Sequence, residues 1–428
     1  MDPLRAPKGM NDVLPGDVAA WHRVEAAYAR TMRLHGFREM RTPLVESTSL
    51  FVRAVGEGTD IVEKEMFSFL HHDDPLTLRP EGTAGIARAY VEHAMHGREP
   101  VSRLYYLGPM FRGERPARGR YRQFFQAGAE IFGDAGPACD AEMIDMLVGF
   151  LAQLGIKDAR VHVGSIGSAG TRAKYKESLL AFLTPKKDAL SEDSQRRLET
   201  NPLRILDSKN PKDREVTQDA PAVLDVLEDS DRAHFDGVRR MLDALGTPYE
   251  VDKKLVRGLD YYTRTLFEIK GATDKLGAGD TLVGGGRYDG MIADLGGQPT
   301  PAIGFAAGIE RLIIASDSSA PGPVVDAFVA PLGDRATPEG LKLARELRRC
   351  GVACEVDARG SSLKAVLRRA NSLGARVVLI VGDGELDKNV VTVKDMAAHA
   401  QEEIAREVVV GVVHDRLAAA GGVREESA

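Results

Sequence analysis

"RLYYLGPMFRGERPARGRYRQFFQAGAEIFG", residues 103–133, is the stretch on which the fold turns. Its two ends, 103–114 and 122–133, alternate apolar and polar residues like strands. The charged "RPARGRY" between them reads as the loop of a long hairpin. On the second strand Phe124, Gln126, Gly128 and Glu130 share one face, and Phe125, Ala127, Ala129 and Ile131 share the other. The second set is small and apolar, fit to pack against helices. The first presents a ring, an amide and a carboxylate. On the first strand Arg112 and Glu114 share a parity with Tyr106 and Gly108. Five arginines stand between Phe111 and Phe125. Like charges so close repel one another, so the loop is either a solvated basic surface or a seat for an anion.

Working outward, Trp21, Val24, Tyr28 and Met32 recur at helical spacing over 17–35, with Asp17 as the N-cap and Gly36 as the stop. "FREMRTPLVE" is extended, because its Thr-Pro step disfavours helix. Residues 82–95 and 140–154 read as helices. Residues 170–240, charged and broken by "TNPLRILDSKNPKD", read as a helical insertion. From 256 strands return, "LVGGGRYDGM" is a glycine-rich turn, and "AIGFAAGIERLII" is a strand running into a helix. A boundary falls in "SDSSAPGP", 316–323. Beyond it strands and helices alternate over about a hundred residues, which predicts an α/β domain with a largely parallel sheet. The expected division is 1–320, with the insertion at 170–240, and 325–428.

The chain has 428 residues, 43% of them hydrophobic and 28% charged, with a net charge of −6. That balance suits two or three folded domains and disfavours indiscriminate coating of nucleic acid, while leaving room for local basic sites. No apolar run reaches membrane length, so no membrane partner is expected. The N-terminus lacks the apolar core of a signal peptide. Cys139, Cys350 and Cys354 form no CxxC pair. A cytoplasmic protein with structural thiols and no cysteine-bound zinc follows, and no metal-ligating residue is singled out. The P-loop, a GxGxxG after a strand, HExxH and GxSxG are all missing. His71, His72 and His93 read as solvated surface histidines.

The hairpin chemistry fits a nucleotide. Guanidinium forks match phosphate oxygens, Phe124 offers a stacking face, and Glu114 accepts from an exocyclic amine. Arg311, in "GIERL", adds a second cation.

These stretches resemble the class II aminoacyl-tRNA synthetases. "FREMRTPLVE" is similar to their motif 1, "GPMFRGERPARGRYRQFFQ" to motif 2 and "AIGFAAGIERL" to motif 3. "VRGLDYYTRTLFE" and "GGGRYDG" resemble the two signatures of the histidyl-tRNA synthetase family, and "TLRPEGTAG" and "NPLRILDSKNP" match it too. The resemblance implies an α+β catalytic domain, an antiparallel sheet flanked by helices, followed by an α/β anticodon-binding domain. It implies ATP and L-histidine as substrates, Mg²⁺ bridging the phosphates, histidine tRNA as partner, and a homodimer with Pro43 at its interface. Carried over by position, Arg112 holds the α-phosphate, Glu114 reads the adenine amine, and Phe124 and Arg311 sandwich the ring. Arg120 and Arg311 meet the outer phosphates. Glu81, Gly82, Thr83 and Gln126 surround the α-amino group, and Glu130 and Tyr262 bind the imidazole, with Tyr261 beside them. Arg257 touches the carboxylate and the α-phosphate, opposite Arg112; these two arginines are the catalytic pair.

The chain departs from the commoner family pattern at Ala117 and Phe125, where many relatives carry glutamine and histidine. That leaves the reading of the tRNA acceptor end open. No residue stands out as general base for the transfer step. In the C-terminal domain Lys364, Arg368 and Arg369 lie on a helix facing either solvent or the anticodon stem. Two other readings exist: a synthetase for another amino acid, against which both signatures speak, and the non-catalytic relative that regulates ATP phosphoribosyltransferase. Such relatives usually lack the C-terminal domain and signature residues that this chain keeps.

Overall fold

The computed structural model describes residues 3–206, 208, 210–256, 259–271, 276, 280–316 and 324–419. Arg257 of the expected site, its neighbour Gly258 and the linker after Ser316 lie outside them. Two compact units are present, Met1–Ser319 and Ala320–Ala428.

The strands of the first unit are β1 (Arg38–Glu39), β2 (Val45–Ser47), β3 (Phe67–His71), β4 (Asp74–Leu78), β5 (Ser102–Phe111), β6 (Gln123–Phe132), β7 (Arg160–Gly167), β8 (Glu250–Val251), β9 (Thr263–Lys270), β10 (Thr281–Arg287) and β11 (Ala302–Gly308). Eight of them form one sheet in the order β1-β5-β6-β11-β10-β9-β7-β8. Its centre is antiparallel, as expected, and its two edge pairs, β1 with β5 and β7 with β8, are parallel. A small sheet, β2-β4-β3, stands apart.

The long hairpin forms, with Ser102 opposite Phe132 and Phe111 opposite Gln123. Its strands stop before Arg112 and Glu114, so strand parity does not orient those two side chains. The loop narrows to a tight turn instead. Ala117 and Arg120 exchange backbone hydrogen bonds of 3.0 and 2.9 Å, and Gly119 takes the left-handed φ of 69° that this turn demands.

Alternation on β6 holds. Ala127, Ala129 and Ile131 pack in a core with Val24, Tyr28 and Met32 of the Pro15–Leu34 helix and Ile144, Leu147 and Phe150 of the Pro137–Gln153 helix. Both helices begin at a proline in the first turn, whose missing N–H costs nothing there. Asp17 therefore sits inside the first turn and is not the cap. Phe125 packs edge-on against Trp21, ring centroids 4.9 Å apart, which accounts for an apolar ring at that position.

"GGGRYDG" corrects the expected turn. Gly284, Gly285 and Gly286 lie within β10, in the middle of the sheet. A Cβ at Gly285 would strike the Gly304 carbonyl and the Phe267 ring, so crowding, not bending, requires glycine. Arg287 ends the strand fully buried, 2.6 Å from Asp140, which also bonds His234 at 2.9 Å.

Between the Ala169–Leu183 helix and Val223 a small core of Tyr175, Leu179, Leu183, Leu190, Leu198 and Ile205 forms. Asp213 ties it together, accepting from the hydroxyls of Ser191, Ser194 and Ser208 at 2.6–2.7 Å. The following Asp229–Leu245 helix instead gives Phe235, Val238 and Leu242 to the main core.

In the second unit β12 (Ala327–Pro331), β13 (Cys354–Val356), β14 (Val377–Val381), β15 (Val390–Asp395) and β16 (Gln401–Ala405) are ordered β13-β12-β14-β15-β16. The first three are parallel, but β15 and β16 run antiparallel. The sheet is thus mixed, not largely parallel: β15 is reversed against both β14 and β16, and the six-residue Asp383–Lys388 helix before it is too short for a parallel crossover. Arg369 pairs with Glu355 at 2.6 Å, while Lys364 and Arg368 line a surface groove with Leu363, Leu367 and Met396. Cys139 and Cys354 are buried free thiols, which pushes them up to about 12 and about 11. Among the described residues no helix is long and apolar enough to cross a membrane.

Candidate active site

The polar face of β6 is the floor of a cleft of about 700 Å³. Glu81, Thr83, Arg112, Glu114, Arg120, Phe124, Gln126, Tyr261, Tyr262 and Arg311 all line it, although they come from five separate stretches of sequence. Gly308 on β11, opposite Gln126, and Gly304, opposite Glu130, line the cleft, while Gly108 on β5, also opposite Gln126, makes room for the Arg79 guanidinium. A Cβ at Gly304 would fall on the Glu130 carboxylate.

One end of the cleft is buried. Glu81 caps the Thr83–Glu92 helix, its carboxylate accepting from the backbone N–H groups of Thr83 (3.0 Å) and Ala84 (2.7 Å). Gly82 is glycine because the Tyr106 ring occupies the place of its Cβ. The Thr83 hydroxyl donates to Glu130 at 2.7 Å, and the Tyr288 hydroxyl donates to the other Glu130 oxygen. Glu130 is therefore fully buried, beneath the cleft surface, with both oxygens engaged. Burial holds the Glu130 carboxyl well above the usual range, with the Tyr288 and Thr83 hydrogen bonds opposing. Burial likewise raises Glu81, against the Ala84 N–H. Gln126 is 8% exposed, and its Oε1 has no hydrogen-bond partner among the described residues. Such an acceptor is costly unless a ligand supplies the donor. Tyr261 stacks near Tyr262 and Tyr288, at 4.6 and 5.6 Å between centroids.

The other end is open and cationic. Arg112 donates to the Pro80 carbonyl at 2.8 Å and lies over Phe124, 5.4 Å from its centroid. Arg120 and Glu114 face each other at 3.5 Å. Arg311 donates to the Thr281 carbonyl at 2.7 Å; burial first, and then the charge of Arg120, lowers its pKa. Glu268 and Asp280 complete this end.

All the expected site residues that are described thus meet in one cleft, with Gly82 and Glu130 behind its wall. Sequence reasoning missed Tyr288, hidden in a glycine run taken for a turn, and Glu310, which accepts from the Phe125 N–H at 3.0 Å. Glu310 adjoins Arg311 in "GIERL", yet its partner lies 185 residues away, and no local signal points to it.

Residues 9–312 match the family model described as histidyl-tRNA synthetase, and residues 326–416 match that of an anticodon binding domain. The chain is 60% identical to the histidine–tRNA ligase of Sorangium cellulosum (strain So ce56) over 98% of its length and 99% of the relative's. It is 46% identical to that of Geobacter metallireducens over 93% and 96% of the two chains. Its fold is similar to that of the apo S. aureus histidyl-tRNA synthetase, with a TM-score of 0.82 at 35% identity, covering 96% of this chain and all of that one. With its polar strand floor, its arginine hairpin and its helix-capping Glu81 in one cleft, and with these matches spanning nearly its whole length, the chain belongs to the histidyl-tRNA synthetase family.

Proposed function

We infer that the chain ligates histidine to tRNA in two steps. A histidine carboxylate oxygen bonds to the α-phosphorus of ATP, the bond to the bridging oxygen breaks, and pyrophosphate leaves with its electrons. The 3′-terminal ribose hydroxyl of the tRNA then attacks the acyl carbon of histidyl-adenylate, and AMP leaves.

The observation that carries this reading is the unpartnered Gln126 carbonyl in the cleft that the buried Glu81 also lines. Together they suit an ammonium, which would supply the missing donor and offset the cost of the carboxylate. Glu130 and Tyr262 suit an imidazole, with one acceptor and one hydroxyl for its two nitrogens. Glycine at 304 keeps Glu130 within reach. A site built to hydrogen-bond its substrate rejects apolar analogues by roughly 10⁴ or more, so no editing domain is required.

At the open end Phe124 and Arg311 are assigned to the two faces of adenine, Glu114 to its amine, and Arg120 and Arg311 to the outer phosphates. Arg112 and Arg257 are assigned to opposite sides of the α-phosphate, where they oppose the repulsion of two anions and stabilise the charge that develops on phosphorus. Among the described residues no three potential metal ligands cluster. Mg²⁺ needs none, because it keeps its waters and binds through one or two carboxylates and the nucleotide phosphates. Glu268 and Asp280 are the residues that would hold it, where it would neutralise phosphate charge.

A homodimer is supported by the exposed Leu44, Val45, Phe69 and Leu70 around Pro43 on the small sheet. The cytoplasm is assigned on the free cysteines. The deciding experiment is ATP–pyrophosphate exchange with each amino acid in turn and no tRNA. Exchange with histidine alone is expected. Exchange with another amino acid would keep the class and remove the specificity, and exchange with none would favour the regulatory relative.

A further inference from the structure

The pairing of β6 with β11 ends at Gln126 and Gly308. One residue further on, the chain enters the Ile309–Ala315 helix, so the backbone of β11 offers no acceptor to the next N–H of β6. That N–H belongs to Phe125. Both oxygens of Glu310 take it, at 3.0 and 3.2 Å, continuing the ladder with a side chain. Glu310 is half-buried, and the desolvation of its carboxyl pushes it up to about 7, a cost that a purely solvated role would not impose. Phe125 precedes Gln126 and follows Phe124, and Glu310 precedes Arg311.

We propose that Glu310 is a positioning residue for ATP: by holding the Phe125 N–H it fixes the start of β6, and with it the Phe124 ring, opposite Arg311. One side chain thus ties the two halves of the adenine site together. This rests on reading Phe124 and Arg311 as the faces of that site.

The test uses the full-length protein in histidine-dependent pyrophosphate exchange, with Trp21 emission as a second readout. Trp21 is the sole tryptophan and touches Phe125, so its spectrum reports a shift of the strand start. Glu310→Ala is expected to raise the KM for ATP about tenfold and to shift Trp21 emission, with the KM for histidine changed less than about twofold. Glu310→Gln, which keeps an acceptor, is expected to restore both. If Glu310→Ala does not fold, Glu310→Asp carries the test, and its shortened reach is expected to raise the KM for ATP selectively. Equal changes in both KM values, or no change in either, would overturn the proposal. Absence of exchange in the unaltered protein would overturn the functional reading, and the proposal with it.

Discussion

The two ends of the cleft solve recognition differently. At the end proposed for histidine the carboxyl groups of Glu81 and Glu130 are buried and already bonded to backbone, threonine and tyrosine groups. At the end proposed for ATP the charges are partly exposed: Arg112 and Arg311 donate to backbone carbonyls, and Arg120 pairs with Glu114. The first is preorganised: its geometry discriminates, and little moves when ligand arrives. The second holds a weak, screened pair, Arg120 with Glu114, that an entering phosphate would break at little cost. Selectivity therefore belongs to the rigid end and charge compensation to the adaptable one.

That contrast can be broken at its foundation. Arg287 sits below the histidine end, one residue before Tyr288, in a buried pair with Asp140. Arg287→Ala leaves the buried Asp140 without its guanidinium, with only His234 as a side-chain partner, and is expected to lower stability by about 3–5 kcal/mol in urea titration. A loss below about 1 kcal/mol would mean that this end is not held from beneath. Next in size, Arg257→Ala is expected to slow adenylate formation about 10²–10³-fold with an unchanged melting transition. Normal exchange in that variant would remove the two-sided arginine clamp.

Glu130→Gln sharpens the contrast, since it keeps the shape and the Thr83 bond but loses the charge. The KM for histidine is expected to rise about tenfold or more while that for ATP holds. Equal rises would mean that Glu130 supports the whole cleft. At the open end, Glu114→Ala is expected to change stability by less than about 0.5 kcal/mol, because its pair with Arg120 is exposed to water. Calorimetry with a larger loss would make that end as preorganised as the other.

The smallest effect is in pH. The Glu310 carboxyl rises from 4.5 to about 7 through burial, so the folded state holds a proton that the unfolded chain releases. Its contribution to stability is therefore full below 4.5 and declines as pH rises towards about 7. Glu310→Gln should remove that decline, so the variant gains on the parent between pH 5 and 8. A parallel pair of stability curves would mean that this carboxyl does not titrate there.

Much of this was legible beforehand. Strand alternation sorted the two faces of β6 correctly, because a period of two is enforced by the backbone whatever surrounds it. Turn chemistry failed at Gly284–Gly286, where three glycines that usually signal a bend lie flat in a sheet. The approach of Gly304 and Phe267 explains Gly285, and that of the Thr265 carbonyl and Tyr262 explains Gly286; none of these is adjacent in sequence. β16 was missed because "QEEIA" is an edge strand with a single buried residue, Ile404, and so has no apolar pattern to read.

By itself the sequence determined the two faces of β6 and the anion-seeking chemistry of the arginine hairpin, since periodicity and residue chemistry are local; Glu81, Thr83, Tyr261 and Tyr262 were placed in the cleft only through the resemblance to a family. The tertiary structure alone decided that Glu130 lies beneath the floor under Tyr288, that Glu114 faces Arg120, and that Glu310 completes the ladder at Phe125. Those partnerships depend on sheet register and on where strands end, and register is set by pairing between segments far apart in the chain.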